Sequence, residues 1–476
     1  MPTHNLVPAR RRLFGHGIRL AAVAVIAFSP VLQVLAAAPA PAELRAQLDT
    51  LLANAVPADG PGAVMLVARG DTVLYRSARG MASIELGVPL SPDQVLRIGS
   101  VTKQFSAAAL LQLVDQGLAK LDDPLSKYLP SYPGADGITL QQLLNHTSGV
   151  KSFTSLPRYM GNPIRRDLST AEMIAEFSGQ PVDFAPGASW AYNNSGYVLV
   201  GAVIEAITKK TWHAQVAAML QPLGLGRTQY DDPDRVISGM VSGYSSGAAG
   251  VERAGLVSMT QPHAAGALVS TVDELWRWNL ALHRGRVLKP ATYLRMVTPE
   301  GAPAQKAAYG DGIYAETLRG QPMLQHGGGI HGFKSVLIWL PAEQLSVVVL
   351  HNSDSSALNV GNLGRRVAAI ALGQPFPDGP KLDLPVSELE KLQGVWRAAG
   401  SSAAADDRLL RVKDGALYAQ RGEGRPLKLR PIAGGLFLFE NALHRLETAP
   451  GSETLRYFEG GEGDGETWRR VGPLPP

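Results

Sequence analysis

Cysteine is absent from the 476-residue chain. That excludes disulfides, cysteine nucleophiles, thiolate metal sites and a lipid-modified cysteine anchor. A surplus of charge is also lacking over most of the chain. The formal net charge of +4 is matched by Arg10, Arg11, Arg12 and Arg19, which fall in a first stretch of 36 residues without a single acid. Beyond that stretch bases and acids balance, so no basic face for nucleic acid is expected. No run after residue 36 is apolar enough to span a bilayer, and no repeat of useful period is visible. What remains, at 45% hydrophobic residues, is enough to bury a large core and fill more than one domain.

The first 36 residues read as an export signal: a basic start, an apolar run from Ile18 to Leu35, then Ala36-Ala37-Ala38, with cleavage expected after Ala36. Arg11-Arg12-Leu13-Phe14 also resembles the core of a twin-arginine signal. The expected location is periplasmic or secreted, with no stable membrane span once the signal is removed.

The rest of the chain divides by texture. Ala42 to Ala55 has helical spacing; residues 63–68 and 72–75, around Arg69-Gly70-Asp71, read as a β-hairpin. From Ser100 to about residue 300 the pattern is mainly helical, broken by Pro and Gly. Strands return at Lys334 to Leu340 and Leu345 to Leu350, followed by a helix from Asn359 to Leu372. Strands at both ends of a helical insert predict an α/β (α+β) unit over residues 42–373: an antiparallel sheet flanked by helices. A Pro-rich linker over 374–387 leads to a small β-barrel-like domain over 388–476. Strands are expected there at Leu409 to Tyr418, Leu436 to Phe439 and Leu455 to Phe458, with residues 460–465 as a hairpin loop.

Three short stretches carry chemistry. In Gly99-Ser100-Val101-Thr102-Lys103, a Gly-Ser pair opens a helix and Lys103 lies three residues on, within reach of the Ser100 hydroxyl. Serine needs a base to become a nucleophile, and a desolvated lysine can serve. The plain alternative is a helix cap beside a solvated lysine, and a second Ser-x-x-Lys, Ser148 to Lys151, lies in a turn. In Tyr192-Asn193-Asn194, residues two apart in extended chain enter one cavity: Tyr192 to shuttle protons, Asn194 to orient the lysine and contact substrate. The alternative there is Asn194 as the cap of the following apolar helix. In His326-Gly327-Gly328-Gly329, glycines let a substrate lie against a strand edge, and the Gly329 N–H can join that of Ser100 as an oxyanion hole. His326 and His331 sit five residues apart without a His, Cys or Glu cluster, which makes a poor metal site.

Together Ser100-x-x-Lys103, Tyr192-x-Asn194 and His326-x-Gly328 resemble the signature of the serine β-lactamase-related hydrolases: class C β-lactamases, DD-peptidases, D-aminopeptidases and certain esterases. The phrases Leu143 to Gly149 and Ala265 to Thr271 are similar as well. The resemblance covers roughly residues 42 to 373. It implies an acyl-enzyme on Ser100, catalysis by Ser100, Lys103 and Tyr192, substrate contacts from Asn194, His326, Gly328 and Gly329, and no cofactor. The substrate implied is a small ester or amide, or a D-amino-acid peptide. One departure is His326, where many β-lactamases carry lysine; a largely neutral imidazole should favour neutral esters and amides over penicillins. His146, inside a shared phrase, is read as structural.

Other readings have their own residues. Gly243 to Gly247 fits the G-x-S-x-G elbow of α/β-hydrolases and His326 to Gly329 an oxyanion loop, but no apolar strand precedes the elbow and no helix follows it, and the two motifs come in the wrong order. A true β-lactamase, or a non-catalytic sensor of β-lactams or peptidoglycan, would use the same pocket.

Overall fold

The computed structural model describes residues 39–401, 407–448 and 452–475. The expected signal, residues 1–36, lies outside them.

A six-stranded antiparallel sheet runs in the order β3-β4-β5-β6-β1-β2. Its strands are β1 Ala63–Arg69, β2 Thr72–Arg79, β3 Tyr314–Leu318, β4 Gln321–Ile330, β5 Phe333–Leu340 and β6 Leu345–His351. β1 is apolar along most of its length because both its faces are covered. Val64 and Leu66 point into one core, Met65 and Val67 into another, and Val348 and Leu350 against Val347 and Val349 divide β6 the same way. One core is closed by α1 (Pro41–Ala55) and α5 (Val360–Ala371), which bring Leu44, Leu48, Leu363 and Val367. The other is closed by α2 (Thr102–Asp115), α3 (Asn194–Thr208) and α4 (Val272–His283). There Phe105 of α2 stacks on Trp278 of α4 with ring centroids 4.2 Å apart. α3 is buried from Ser195 to Ile204, as its almost unbroken apolar sequence requires. Among the described residues no helix is long and apolar enough to cross a membrane.

The expected antiparallel sheet with a helical insert is present, but β3 and β4 precede the strands the sequence pattern reveals. β4 includes the glycine run Gly327–Gly329, and glycine depresses any strand signal. The run is held extended because it pairs with β5, Gly328 opposite Ser335 and Gly329 opposite Lys334. On its other side β3 stops at the Tyr314–Gln325 pair, so from His326 onward that edge of β4 has no strand beside it.

Among the described residues after 393, eight strands form a closed barrel, each paired with its neighbour in sequence: β7 Gly394–Ala398, β8 Arg408–Lys413, β9 Ala416–Arg421, β10 Leu427–Ile432, β11 Leu436–Phe439, β12 Arg445–Glu447, β13 Thr454–Phe458 and β14 Glu466–Gly472. β14 returns to β7 and shuts it. The stretch 409–418 is therefore two strands; Asp414 and Gly415 both have positive φ (49° and 72°) in the two-residue turn between them. Trp396, Phe437, Leu446 and Trp468 fill the interior. Residues 460–465 do connect two neighbouring strands.

The Pro-rich joint is not a free hinge. Phe376 and the barrel's Leu443 belong to the core under α5. Arg319, at the β3–β4 turn, lies 3.8 Å over the Phe376 ring and donates to the carbonyls of Gln374 and Gly461, while its N–H reaches Glu462.

Candidate active site

Ser100 occupies a single 3-10 turn, Gly99–Val101, that runs directly into α2. Gly99 is required there twice over. Its φ is +49°, and a Cβ would lie 2.9 Å from the Gly329 nitrogen. Gly328 is equally constrained, since a Cβ would come to 2.0 Å from the Ile98 carbonyl oxygen. Ser335, opposite Gly328, donates from Oγ to that same carbonyl at 2.7 Å. These contacts seat the unpaired edge of β4 against the turn that carries Ser100, with the Gly329 amide beside it.

Lys103 is fully buried. Its Nζ lies 2.8 Å from Asn194 Oδ1, 2.9 Å from the Ala265 carbonyl oxygen and 3.2 Å from Ser100 Oγ. Burial alone drives its pKa well below the usual lysine value. A neutral amine has two N–H donors and one lone pair. In that form the two carbonyl oxygens, which can only accept, would take both donors and leave the lone pair for the Ser100 hydroxyl, whereas the ammonium donates to all three oxygens.

Tyr192 and Asn194 both flank this amine, but not within one cavity. Lys103 Nζ stands 4.7 Å from the centroid of the Tyr192 ring. Tyr192 lines a cleft of about 660 Å³, whereas Asn194 lines a small pocket of about 80 Å³ on the other side; Ser100 and Gly329 border both. The separation arises because α3 begins between them. Asn193 caps the helix through Oδ1 to the Gly196 N–H, which leaves the Asn194 side chain free to bridge Lys103 and Thr154 Oγ1. The Tyr192 hydroxyl is buried with no hydrogen bond closed to it. Burial pushes its pKa well up, and the Ser100 side chain opposes this in part.

His326 lines the large cleft, yet both its nitrogens are taken by protein. Nδ1–H donates to the Gly327 carbonyl at 2.6 Å, so Nε2 accepts from the Tyr309 hydroxyl at 3.1 Å. Burial, then the neighbouring Lys103, hold its pKa down at about 3. The imidazole is neutral at any ordinary pH.

Several neighbours give no signal in the three motifs. The Ala265 carbonyl that holds Lys103 lies in a phrase that only family resemblance marks. His146 packs against Tyr192 with ring centroids 4.5 Å apart and accepts the Asn193 N–H at Nδ1. Asp311 is buried, and desolvation raises its carboxyl to about 7. The competing motifs lie elsewhere. Ser245 is in a short hairpin, Tyr244–Gly247 with Gly250–Arg253, and donates to Asp354. Lys151 pairs with Asp183. Among the described residues no cluster of three or more metal-ligating side chains occurs.

A family model described as Beta-lactamase matches residues 48–372. A D-aminopeptidase of Gluconobacter oxydans is 26% identical over 332 residues, 68% of this chain and 61% of that protein. Esterase EstB of Burkholderia gladioli is 37% identical over 201 residues, 39% of this chain and 51% of that one. The chain thus spans less than two thirds of either relative. Penicillin-binding protein 4* of Bacillus subtilis is 25% identical over 83% of this chain and 87% of its own. Among solved structures, a D-amino acid amidase from Ochrobactrum anthropi complexed with L-phenylalanine amide has a TM-score of 0.62 at 26% identity, covering 69% of this chain and 98% of its own. A penicillin-binding protein homologue from Pyrococcus abyssi shares the fold over 90% of this chain and 99% of its own, with a TM-score of 0.61 at 20% identity. With the match over residues 48–372, and with the Ser100 turn, buried lysine and glycine edge on such a sheet, the chain belongs to the β-lactamase family.

Proposed function

We propose that the protein is an exported serine hydrolase that cleaves short esters or D-amino-acid amides through an acyl-enzyme on Ser100. The observation that carries this reading is the buried Lys103, whose Nζ lies within hydrogen-bond distance of Ser100 Oγ, Asn194 Oδ1 and the Ala265 carbonyl at once. Lys103 takes the Ser100 proton as Oγ bonds to the substrate carbonyl carbon, and the N–H groups of Ser100 and Gly329 hold the oxyanion. Collapse breaks the bond to the leaving group, which needs a proton. Tyr192 is suited to deliver it, because a phenol whose pKa burial raises stays protonated and is a donor rather than a base. Lys103 returns its proton to the phenol oxygen. Water then attacks the acyl carbon, gives up a proton by the same route, and Ser100 is released.

The relatives named D-aminopeptidase and esterase support the substrate class, and so does the neutral His326. A penicillin carries its carboxylate beside the scissile bond, where this site presents an uncharged, fully engaged imidazole. Export rests on the leader's composition alone.

A screen of p-nitrophenyl acetate, D-amino-acid amides and a chromogenic cephalosporin tests the class; faster turnover of the cephalosporin would reverse it. Labelling by a fluorophosphonate tests the nucleophile. It should vanish in Ser100→Ala and persist in Ser245→Ala; the opposite result removes the mechanism.

A further inference from the structure

The two cavities beside Ser100 differ in size and in the residues that border them, and the difference assigns them to the two halves of a substrate. The small pocket is walled by Phe153, Met160, Ile164 and Val257 and has no room for more than a compact acyl group. Tyr192, the proton donor of the proposed mechanism, borders only the large cleft, so the leaving group departs there. At the far side of that cleft stands Lys334.

Lys334 and Ser335 are consecutive on β5 and point to opposite faces of the sheet. Ser335 faces the Ser100 turn. Lys334 is on the α5 face, near Ser356, Asn359 and the first turn of that twelve-residue helix, all of which border the same cleft. Its ammonium donates one hydrogen bond, to the Ser355 carbonyl at 2.6 Å. Asp354 is the carboxylate that acts on it most, and Asp354 is already used: Oδ2 accepts from Ser245 Oγ and from the Gly332 N–H. A half-buried cation with unused donors therefore looks into the space the leaving group must cross, beside the positive end of α5. His326, nearer the nucleophile, supplies no charge.

We propose that Lys334 is a specificity-determining residue that receives an anionic group, a carboxylate or a phosphate, carried at the distal end of the leaving group. The preferred substrate pairs a small acyl group with a long, acid-tipped alcohol or amine. A compact anion next to the scissile bond does not qualify, because Lys334 is reached only past the unpaired edge of β4. This rests on the proposed function for the direction of departure.

Two phenyl acetates test it, one with a para CH2CH2COO− arm and one with the matching primary amide. Wild-type kcat/KM should favour the carboxylate by about tenfold, mainly through KM. Lys334→Gln should bring the ratio to about one, Lys334→Arg should keep it, and Lys334→Glu should invert it. A wild-type ratio at or below one, or one that survives in Lys334→Gln, overturns the proposal. Calorimetric binding of 3-(4-hydroxyphenyl)propionate and its amide to the Ser100→Ala protein reads the same preference without turnover. If acetate hydrolysis proves independent of Ser100, the mechanism fails while this binding arm still decides on Lys334: equal affinity for the two phenols rejects it.

Discussion

The β-lactamase-family body and the C-terminal barrel are both built on antiparallel strands, but one sheet is open and the other is closed. In the barrel every strand has two partners, and its interior is packed with Trp396, Phe437 and Trp468. Closure leaves it no edge strand. In the body β4 outruns β3, and the N–H groups past His326 on that edge are left for something else. An unpaired edge is normally a hazard; here it is covered on one side by the Ser100 turn and opens on the other into the cleft. An oxyanion needs backbone donors that folding has not consumed, and the unpaired edge of β4 offers them.

The sharpest test of the comparison is to disable the edge's partner. Ser100→Ala, or Lys103→Arg, whose guanidinium cannot give up a proton, should lower kcat by about 10⁴-fold or more while amide-hydrogen exchange in the barrel strands does not change. Next comes the edge itself. Gly328→Ala forces a methyl toward the Ile98 carbonyl and should lift β4 from the nucleophile, costing about 10²- to 10³-fold in kcat. A Cβ on Gly329 meets nothing within 4 Å, so Gly329→Ala should cost far less. Equal losses would show that the edge does not hold the oxyanion. Tyr192→Phe should lower kcat by about 10²-fold without unfolding, and wild-type kinetics would reduce Tyr192 to packing.

Much of this was legible beforehand, and the omissions have physical causes. Ser100, Lys103, Tyr192 and Asn194 are close in sequence to the turns that aim them, so short motifs mark them as candidates, and the fold brings them together. β1 and β6 are apolar on both faces and stand out as strands. β4 is hidden because three glycines erase its pattern, and the barrel's short strands blur because turns take up so much of them. Lys334 is invisible to any motif: its importance depends on which sheet face it occupies, and that follows from pairing with β4. The joint at 374–387 reads as a flexible tether because prolines break regular structure, but Phe376 anchors it in the body's core.

That anchor yields a smaller expected effect. A chain ending at Gly373 loses Phe376 and Leu443 from the core under α5, so it should melt several degrees lower yet still be labelled at Ser100. An unchanged melting temperature would show that the two regions are merely adjacent.

The smallest effect concerns acid. His263, His283 and His326 are held at about 3, His351 at about 4, and His146 well down too, in each case chiefly by burial, against about 6.5 in an unfolded chain. Below pH 6.5 the unfolded chain takes up protons that the native body refuses, so stability falls as pH drops toward 4. Asp311, at about 7, acts with the opposite sign: its contribution is lost as pH rises from 3.8 to 7. Five histidines against one carboxyl make acid the losing direction for the body, which should exchange amide hydrogens faster at pH 4.5 than at pH 7 while the barrel changes less. Equal acceleration in both would remove the buried histidines as the cause.

The seam between β1 and β6 has a consequence in time. Gly62 and Asn352, joined by a hydrogen bond next to that seam, are 290 residues apart. The hairpin of β1 and β2 is finished early in synthesis, but the strand that must cover the inner side of β1 is among the last parts of the body to be made. Closing so long a loop is slow, and until it happens an apolar strand with an open edge has to wait. During that wait β1 can pair with the β1 of another newborn chain, so assembly should be most vulnerable at high expression and warm temperature. A holding chaperone that shields residues 63–69 would raise the yield of active protein more than any stabilisation of the finished fold.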